Sequence, residues 1–188
     1  CGITVTPERA ESVTFADPHF ETYGVAVVKA PSAANSKKVL ADFENATIGI
    51  LSGSSFDPLA RERFPDAERQ YFSLLTDMLL AVERGKIDGY ISETTYFSAA
   101  RWEGAEIEYV EEPIATTQAG YIFRKDTDKV EARDQHNQFL INANESGLLE
   151  ELREKWLGTE EPTEFFDSSS LTGENGTLKV AVSPDLKP

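Results

Sequence analysis

The sequence has very little cysteine and histidine, with one Cys and two His among 188 residues. A single cysteine can form neither an internal disulfide bond nor a cysteine-based zinc site. The two histidines, His19 and His136, lie far apart and lack metal-ligand spacing, and a Ser-His-Asp or Cys-His catalytic centre would have to use one of them. We therefore predict no metal, no cofactor and no catalytic residue.

Positive charge and long apolar runs are also scarce. The 18 Lys and Arg residues face 33 Asp and Glu residues, which gives a net charge of −15. Nucleic acid and anionic membrane surfaces are disfavoured as partners, because their phosphates attract clustered basic side chains. No stretch approaches the roughly 18–20 apolar residues that span a bilayer. The acidic balance is explained by solubility alone.

Enough apolar residues are nevertheless present for a sizeable core, since 40% of the chain is hydrophobic and 11 residues are Phe. Strand and helix patterns alternate along the chain with short connections, which is typical of an α/β domain with a largely parallel sheet. Strands are predicted at 25–28, 48–51, 69–72, 87–91, 107–110 and 118–123. Helices are predicted at 37–43, 59–64, 75–82, 94–102 and from 124 to 158, where a Leu and Trp stripe is interpreted as core packing.

Two short stretches could carry chemistry: an arginine held at a turn near the start, and a serine-rich turn that suits an anion. Near the start, Thr6 is a suitable N-cap ahead of Pro7, so Arg9 would project from a fixed turn. Alternatively, Arg9 is a surface residue in an ion pair. Further on, residues 52–55 form a serine-rich turn between a buried strand and a helix. Such a position presents free backbone N–H groups and the positive end of the helix dipole, although serines at helix starts are more often simple caps.

A third stretch places an acid at the end of a strand. Glu93 follows the strand predicted at 87–91, where α/β folds commonly present ligand-binding groups. The alternative is that Glu93 belongs to the first turn of the next helix, where the helix dipole favours a negative charge.

Taken together, these stretches resemble a known family. Residues 2–28 read GITVTPERAESVTFADPHFETYGVAVV, and the segments ATIGILSGSS, GKIDGYISE, AGYIFRKD and REKWLG follow in order. The whole of residues 1–158 resembles the bacterial extracellular solute-binding proteins of family 3, the amino-acid-binding class of periplasmic receptors.

The resemblance implies the type 2 periplasmic-binding fold, in which two α/β lobes joined by hinge strands hold a ligand between them. The hinge crossings would lie near residues 21–25 and 116–121. Residues 25–117 would form a complete second lobe with a mainly parallel sheet, and residues 1–24 and 118–158 an incomplete first lobe. Residues 159–176 would be a linker. Residues 177–188, TLKVAVSPDLKP, resemble the family's first strand and imply a following repeat in a tandem-domain protein.

The resemblance also implies a ligand site for an amino acid or a similar zwitterion. Arg9 and the N–H groups near Ser54 and Ser55 would hold the α-carboxylate. Glu93, Thr4 and the carbonyl of Gly2 would hold the α-ammonium, and Leu51 would shape the pocket. This sequence departs from the family in having Glu93 where Asp is usual, and in its residues at Leu51 and Ser55.

These features predict an extracytoplasmic, membrane-tethered binding module and not an enzyme. Its partner would be an ABC permease or its own transmembrane signalling domain, the implied repeat slightly favouring the latter. A degenerate domain without ligand and, less favoured, a dehydratase-like enzyme are the alternatives. With half of the first lobe absent, we expect this chain to bind weakly or not at all. The strand at 178–182 could also pair with a sheet edge of its own or of a neighbouring chain.

Overall fold

The computed structural model describes residues 2–30, 39–125 and 130–157 of the chain. Within these ranges, nine strands alternate with six α-helices and one short 3₁₀ helix at Leu40–Phe43. The strands are β1 (Ile3–Thr4), β2 (Val13–Phe15), β3 (Phe20–Lys29), β4 (Thr47–Leu51), β5 (Glu68–Phe72), β6 (Gly89–Glu93), β7 (Ile107–Tyr109), β8 (Ala115–Gly120) and β9 (Ile122–Arg124). The helices are α1 (Pro7–Ser12), α2 (Phe56–Arg63), α3 (Leu75–Glu83), α4 (Thr94–Trp102), α5 (Val130–Glu145) and α6 (Leu148–Leu157).

Seven of the strands form one sheet in the order β1-β8-β3-β6-β4-β5, with β7 also paired to β3. Strand β4 runs parallel to β5 and β6, whereas β3 is antiparallel to β6, β7 and β8. Strands β2 and β9 form a separate antiparallel pair. The α/β class is confirmed, but the sheet is mixed, so its parallel pairing is less extensive than predicted.

Strand β3 is the longest, and it connects two parts of the molecule. Its first residues, 20–24, pair with β8, and its later residues pair with β6 and β7. We call β3 and β8 the crossing strands, because each has residues on both sides of the predicted lobe boundary. Residues 25–117 are termed the central region. Residues 2–24 and 118–157 are termed the flanking region.

The central region has an apolar core on both faces of its sheet. Because successive side chains of a strand point to opposite faces, Val25 and Val27 of β3 join one cluster, while Ala26 and Val28 join the other. The first cluster includes Met78 and Val82 of α3, and the second includes Phe56 and Ala60 of α2. Helix α3 ends at Glu83, and the predicted stop, Gly85, follows two residues later with a φ of +67° that suits glycine.

The flanking region differs from prediction in two places. The single strand predicted at 118–123 is two strands, β8 and β9, with Tyr121 between them. The helical stretch that follows is also divided, because Gly147 adopts φ +79° between α5 and α6. In the stripe interpreted as core packing, Leu149 and Trp156 are half-buried but Leu152 is 38% exposed, so the described residues cover that face of α6 only in part.

Several predictions fall partly or wholly outside the described ranges. The helix predicted at 37–43 is seen only as the 3₁₀ helix Leu40–Phe43. The linker at 159–176 and the strand at 178–182 lie outside the described residues. None of the helices described has the length and apolar character needed to cross a membrane.

Candidate functional site

The opening segment folds as its sequence predicts. Thr6 is the N-cap of α1, its hydroxyl accepts the backbone N–H of Arg9 at 3.2 Å, and Pro7 is the first helical residue. From this fixed turn the partly buried Arg9 side chain reaches back, and its Nη1 donates to the carbonyl oxygen of Thr4 at 3.0 Å. No carboxylate among residues 2–30, 39–125 and 130–157 pairs with Arg9. The alternative interpretation, a surface arginine in an ion pair, therefore does not describe Arg9 within these ranges.

Glu93 ends β6 and is the N-cap residue of α4, so it precedes the first helical turn instead of lying within it. Its carboxylate does not cap the helix. Instead, Oε1 of Glu93 accepts a hydrogen bond from the hydroxyl of Thr4 at 2.9 Å, although the two residues are 89 positions apart. The side chain is only 9% exposed, and the described part of the chain supplies it with no cation.

The charge on Glu93 is felt by a neighbouring group on α4. Burial raises the pKa of Tyr96, and the negative charge of Glu93 raises it further. This region therefore favours a positive charge near Glu93 and disfavours a second negative one.

The serine-rich turn leads directly into α2. Ser54 donates its backbone N–H to the carbonyl of Leu51 at 3.0 Å, and Ser55 is the N-cap residue but makes no side-chain cap bond. The buried hydroxyl oxygen of Ser54 has no hydrogen-bond partner in the described structure. The N–H of Asp57 also donates within the turn, to the carbonyl of Ser54 at 3.5 Å. The predicted N–H donor at Ser54 is therefore already engaged, and in the described structure the N–H groups of Ser55 and Phe56, at the start of the helix, are the ones that can receive an anion.

Two adjoining cavities lie where the opening segment meets the serine-rich turn. The first has a volume of about 590 Å³, and its lining includes Arg9, Ser54 and Ser55. The second, of about 520 Å³, is lined by Thr4, by Ser55 and by residues of the crossing strands such as Glu21 and Gln118. Thr6, Ser55 and Pro58 line both cavities, so together they form one cleft between the flanking and central regions.

Five of the seven predicted site residues are thus brought together. Arg9, Ser54 and Ser55 line the first cavity, and Thr4 joins Arg9 to Glu93 through two hydrogen bonds. Glu93 itself lines neither cavity, and it is connected to the cleft through its hydrogen bond with Thr4, which lines the second cavity. The other two residues, Gly2 and Leu51, also line neither cavity. Gly2 lies against the imidazole of His19, and Leu51 packs on the apolar cluster beneath α3. The ligand-binding roles of all seven stay predictions.

Three hydroxyl groups near Glu93 were not anticipated. The Thr22 and Thr94 hydroxyl oxygens are 2.9 Å apart, and the hydroxyl of Thr117 donates to the carbonyl of Thr22 at 3.4 Å. No local pattern marks these threonines, because the pairs are 72 and 95 positions apart in the sequence. Knowledge of the strand pairing would have been required to find them.

The described residues contain no candidate metal site. Within the ranges that the structure describes, no three His, Cys, Asp or Glu side chains are grouped so that they could hold a metal ion.

A mixed sheet covered by helices, with two crossing strands and a cleft beside them, matches the periplasmic-binding fold that the sequence resembles. Comparison with known proteins identifies the family within that fold. The chain belongs to the bacterial extracellular solute-binding proteins, family 3, whose family model matches residues 1–159.

The curated relatives are named as amino-acid-binding proteins. The arginine-binding extracellular protein ArtP of Bacillus subtilis (strain 168) is 26% identical over 160 residues, which cover 82% of this chain and 60% of ArtP. The ABC transporter arginine-binding protein 1 of Escherichia coli (strain K12) is 25% identical over 93 residues, or 50% of this chain and 37% of that protein. The chain therefore spans between about a third and three fifths of these two relatives.

Solved structures agree with the fold. A mutant of ArgBP from T. maritima superposes with a TM-score of 0.68 at 27% identity, covering 83% of this chain and 66% of that one. The ancestral amino acid-binding protein AncCDT-1, described as a precursor of cyclohexadienyl dehydratase, gives a TM-score of 0.70 at 23% identity and supports the fold alone. It covers 82% of this chain and 66% of its own length.

Proposed function

We propose that this chain is an extracytoplasmic binding module, without catalytic activity, that holds the charged ends of an amino acid in the cleft between its central and flanking regions. The names of the relatives support an amino acid as ligand, and arginine is the first to test. In this proposal Arg9 and the serine-rich turn receive the α-carboxylate. Glu93 and Thr4 receive the α-ammonium.

One observation carries the proposal. Arg9 and Glu93 lack partners of opposite charge among the described residues, yet Thr4 links them within a single chain of hydrogen bonds. A buried carboxylate without a cation is costly, so a site that keeps one is expected to find its cation in a ligand. A zwitterion supplies a carboxylate for Arg9 and an ammonium for Glu93 at the same time.

The expected energies are large enough to select such a ligand. A hydrogen bond to a charged group contributes roughly 1.5–3 kcal/mol, and the planar guanidinium of Arg9 can offer a carboxylate two parallel bonds. The free hydroxyl of Ser54 and the N–H groups at the start of α2 add donors on the other side of the cleft. The loss of either charged residue should therefore remove most of the affinity.

The test is a titration of the chain with L-arginine, followed by NMR chemical shifts up to millimolar concentration because weak binding is expected. The Arg9→Ala variant should bind at least about tenfold more weakly, since a charge-assisted bond of this strength is lost. Arg101→Ala is the matched control. Arg101 also donates to a backbone carbonyl at 3.0 Å, but it lies on α4 and lines neither cavity.

A second variant tests the other end of the ligand. Glu93→Gln should weaken arginine binding but should leave unchanged the binding of an analogue without the α-amino group. Saturable arginine binding that survives both Arg9→Ala and Glu93→Gln would refute the proposed site. If L-arginine caused no chemical shift changes in the wild-type chain, the result would instead favour the alternative of a degenerate domain that binds no ligand.

The proposal includes a membrane-tethered protein that works with an ABC permease or with its own transmembrane signalling domain. The relative named as an ABC transporter protein supports the permease. The resemblance of residues 177–188 to the family's first strand supports tandem domains and hence signalling. A permease gene beside the coding sequence would favour the first partner, and a membrane span encoded with a cytoplasmic signalling domain would favour the second.

A further inference from the structure

Buried polar side chains are concentrated at one place in the described structure. Thr22, Ser92, Glu93 and Thr117 are the four buried polar or charged residues within the ranges described, with exposures between 2% and 9%. All four lie where the crossing strands meet the end of β6. Because burying a polar group has a cost unless its hydrogen bonds are made, such a concentration indicates a specific task at this junction.

The geometry joins both crossing strands to the start of α4. Thr22 of β3 and Thr117 of β8 are directly opposed in the strand ladder, and Thr117 donates to the Thr22 carbonyl. On its other side, the Thr22 hydroxyl is hydrogen-bonded to the hydroxyl of Thr94 at 2.9 Å. Thr94 is the first residue of α4 and follows Glu93 directly.

We propose that the Thr22–Thr94 hydroxyl pair, supported by Thr117, positions Glu93 so that its carboxylate faces Thr4 and receives the ligand's ammonium. Threonine suits this role because its branched side chain is restricted at χ1, so a bond between two threonines holds two backbones in one arrangement. The proposal rests on the proposed function and concerns how that same site is controlled.

The contact has a consequence for coupling between the two regions. Glu93 and Thr94 belong to the central region, whereas Thr4 belongs to the flanking region, and Thr22 lies on the strand that joins the two. A change in the crossing strands is therefore transmitted through Thr94 to the Glu93–Thr4 contact. Through the threonine pair, the geometry of the crossing strands therefore affects the ammonium site.

Ligand binding provides the first test, with Thr22→Val, Thr94→Val and the conservative Thr22→Ser. The two valine variants should bind L-arginine about three- to tenfold more weakly, the equilibrium effect of one hydrogen bond, and should bind the analogue without an α-amino group as the wild type does. Thr22→Ser keeps the hydroxyl and should behave as the wild type. Thr47→Val is the control, because Thr47 is a partly buried threonine at the opposite end of β4 from the serine-rich turn.

Equal weakening of both ligands by the valine variants, or no weakening of either, would overturn the proposal. A merely structural role would lower stability and affect both ligands alike, which is why the analogue is included.

A measurement without ligand separates this inference from the proposed function. Amide hydrogen exchange should become several-fold faster at residues 3–5 in Thr22→Val and Thr94→Val, because a displaced Glu93 no longer holds Thr4. Faster exchange confined to residues 20–24 and 92–96 would show that the pair acts only locally and would contradict the proposal. If the wild-type chain binds no arginine, the proposed function fails, and the exchange result still decides whether the pair positions Glu93.

Discussion

The central and flanking regions have similar elements but bury them very differently. In the central region, helices pack on both faces of the sheet, and side chains such as Phe43, Ile48 and Ile50 are at most 1% exposed. In the flanking region, the described buried apolar residues are few and mostly small: Ala16, Ala119, Leu140 and Ala143. Its helices instead expose large apolar side chains, among them Phe139 at 52% and Ile141 at 49%.

The two regions therefore have different roles: one stabilises the fold, and the other limits the geometry of the site. The central region has the two-sided core of an independent domain, whereas the flanking region depends on the crossing strands and on scattered tertiary contacts. One such contact is the backbone N–H of Asp17, which donates to the side chain of Asn137 at 2.9 Å. Because the cleft takes residues from both regions, its geometry depends on the less buried one.

The largest expected difference comes from the same substitution made in both regions. Leu40→Ala removes a side chain that is 1% exposed within the central core, and we expect it to lower the free energy of unfolding by about 2–5 kcal/mol. Leu140→Ala in α5 removes a side chain that is 7% exposed and lies outside both core clusters, and it should cost about 2 kcal/mol, the low end of the range for a buried leucine.

Urea unfolding can report the two regions separately, because the chain has one tryptophan in each, Trp102 on α4 and Trp156 on α6. Single-tryptophan variants would therefore follow each region alone. An equal loss of unfolding free energy in the two leucine variants would show that the flanking region is as well packed as the central one, and would contradict the difference described above.

The sequence predicted the central region well because its signals are local. The bounds of α4, the glycine that follows α3 and the Thr6 cap each depend on residues a few positions apart. The break at Tyr121 was missed because β8 and β9 pair with different strands, which local periodicity does not reveal. Similarly, the stripe containing Leu152 indicates a face that favours burial, but not which residues would cover it.

The residues of the candidate site also differ in whether the sequence could predict them. Arg9 and the serine-rich turn could be identified from capping and turn patterns. The contact of Thr4 with Glu93 was accessible only through the family resemblance, since 89 residues separate the pair. The Thr22–Thr94 pair was accessible through neither, because a threonine in a strand is ordinary until its partner is known.

The next prediction uses pH, because both histidines of the chain lie in the flanking region. His19 stacks on Tyr121, whose ring also contacts His136. Burial lowers the pKa of His19 to about 4, and the nearby His136 lowers it as well. Burial also lowers the pKa of His136, an effect that Asp17 opposes.

An unfolded histidine has a pKa near 6.5, so between about pH 6.5 and pH 4 the unfolded chain binds more protons at these sites than the folded chain. Stability should therefore be full above this window and should fall as the pH decreases through it. His19→Gln should make unfolding between pH 7 and pH 5 less dependent on pH, as followed by Trp156 fluorescence in urea. If the stability of the His19→Gln variant depended on pH as strongly as that of the wild type, His19 would not be the cause of the pH dependence.

The smallest expected effect is at the exposed face of α5. Phe139→Gln replaces a large apolar side chain that is 52% exposed, so the free energy of unfolding should change by less than about 0.5 kcal/mol. Binding of a dye such as ANS should decrease, because the exposed surface of α5 loses apolar area. Asn144→Gln, an exposed polar exchange on the same helix, is the control. A loss of 1 kcal/mol or more in Phe139→Gln, measured by urea unfolding, would mean that this side chain is packed against something in solution, and the contrast between the two regions would then be smaller than the described residues indicate.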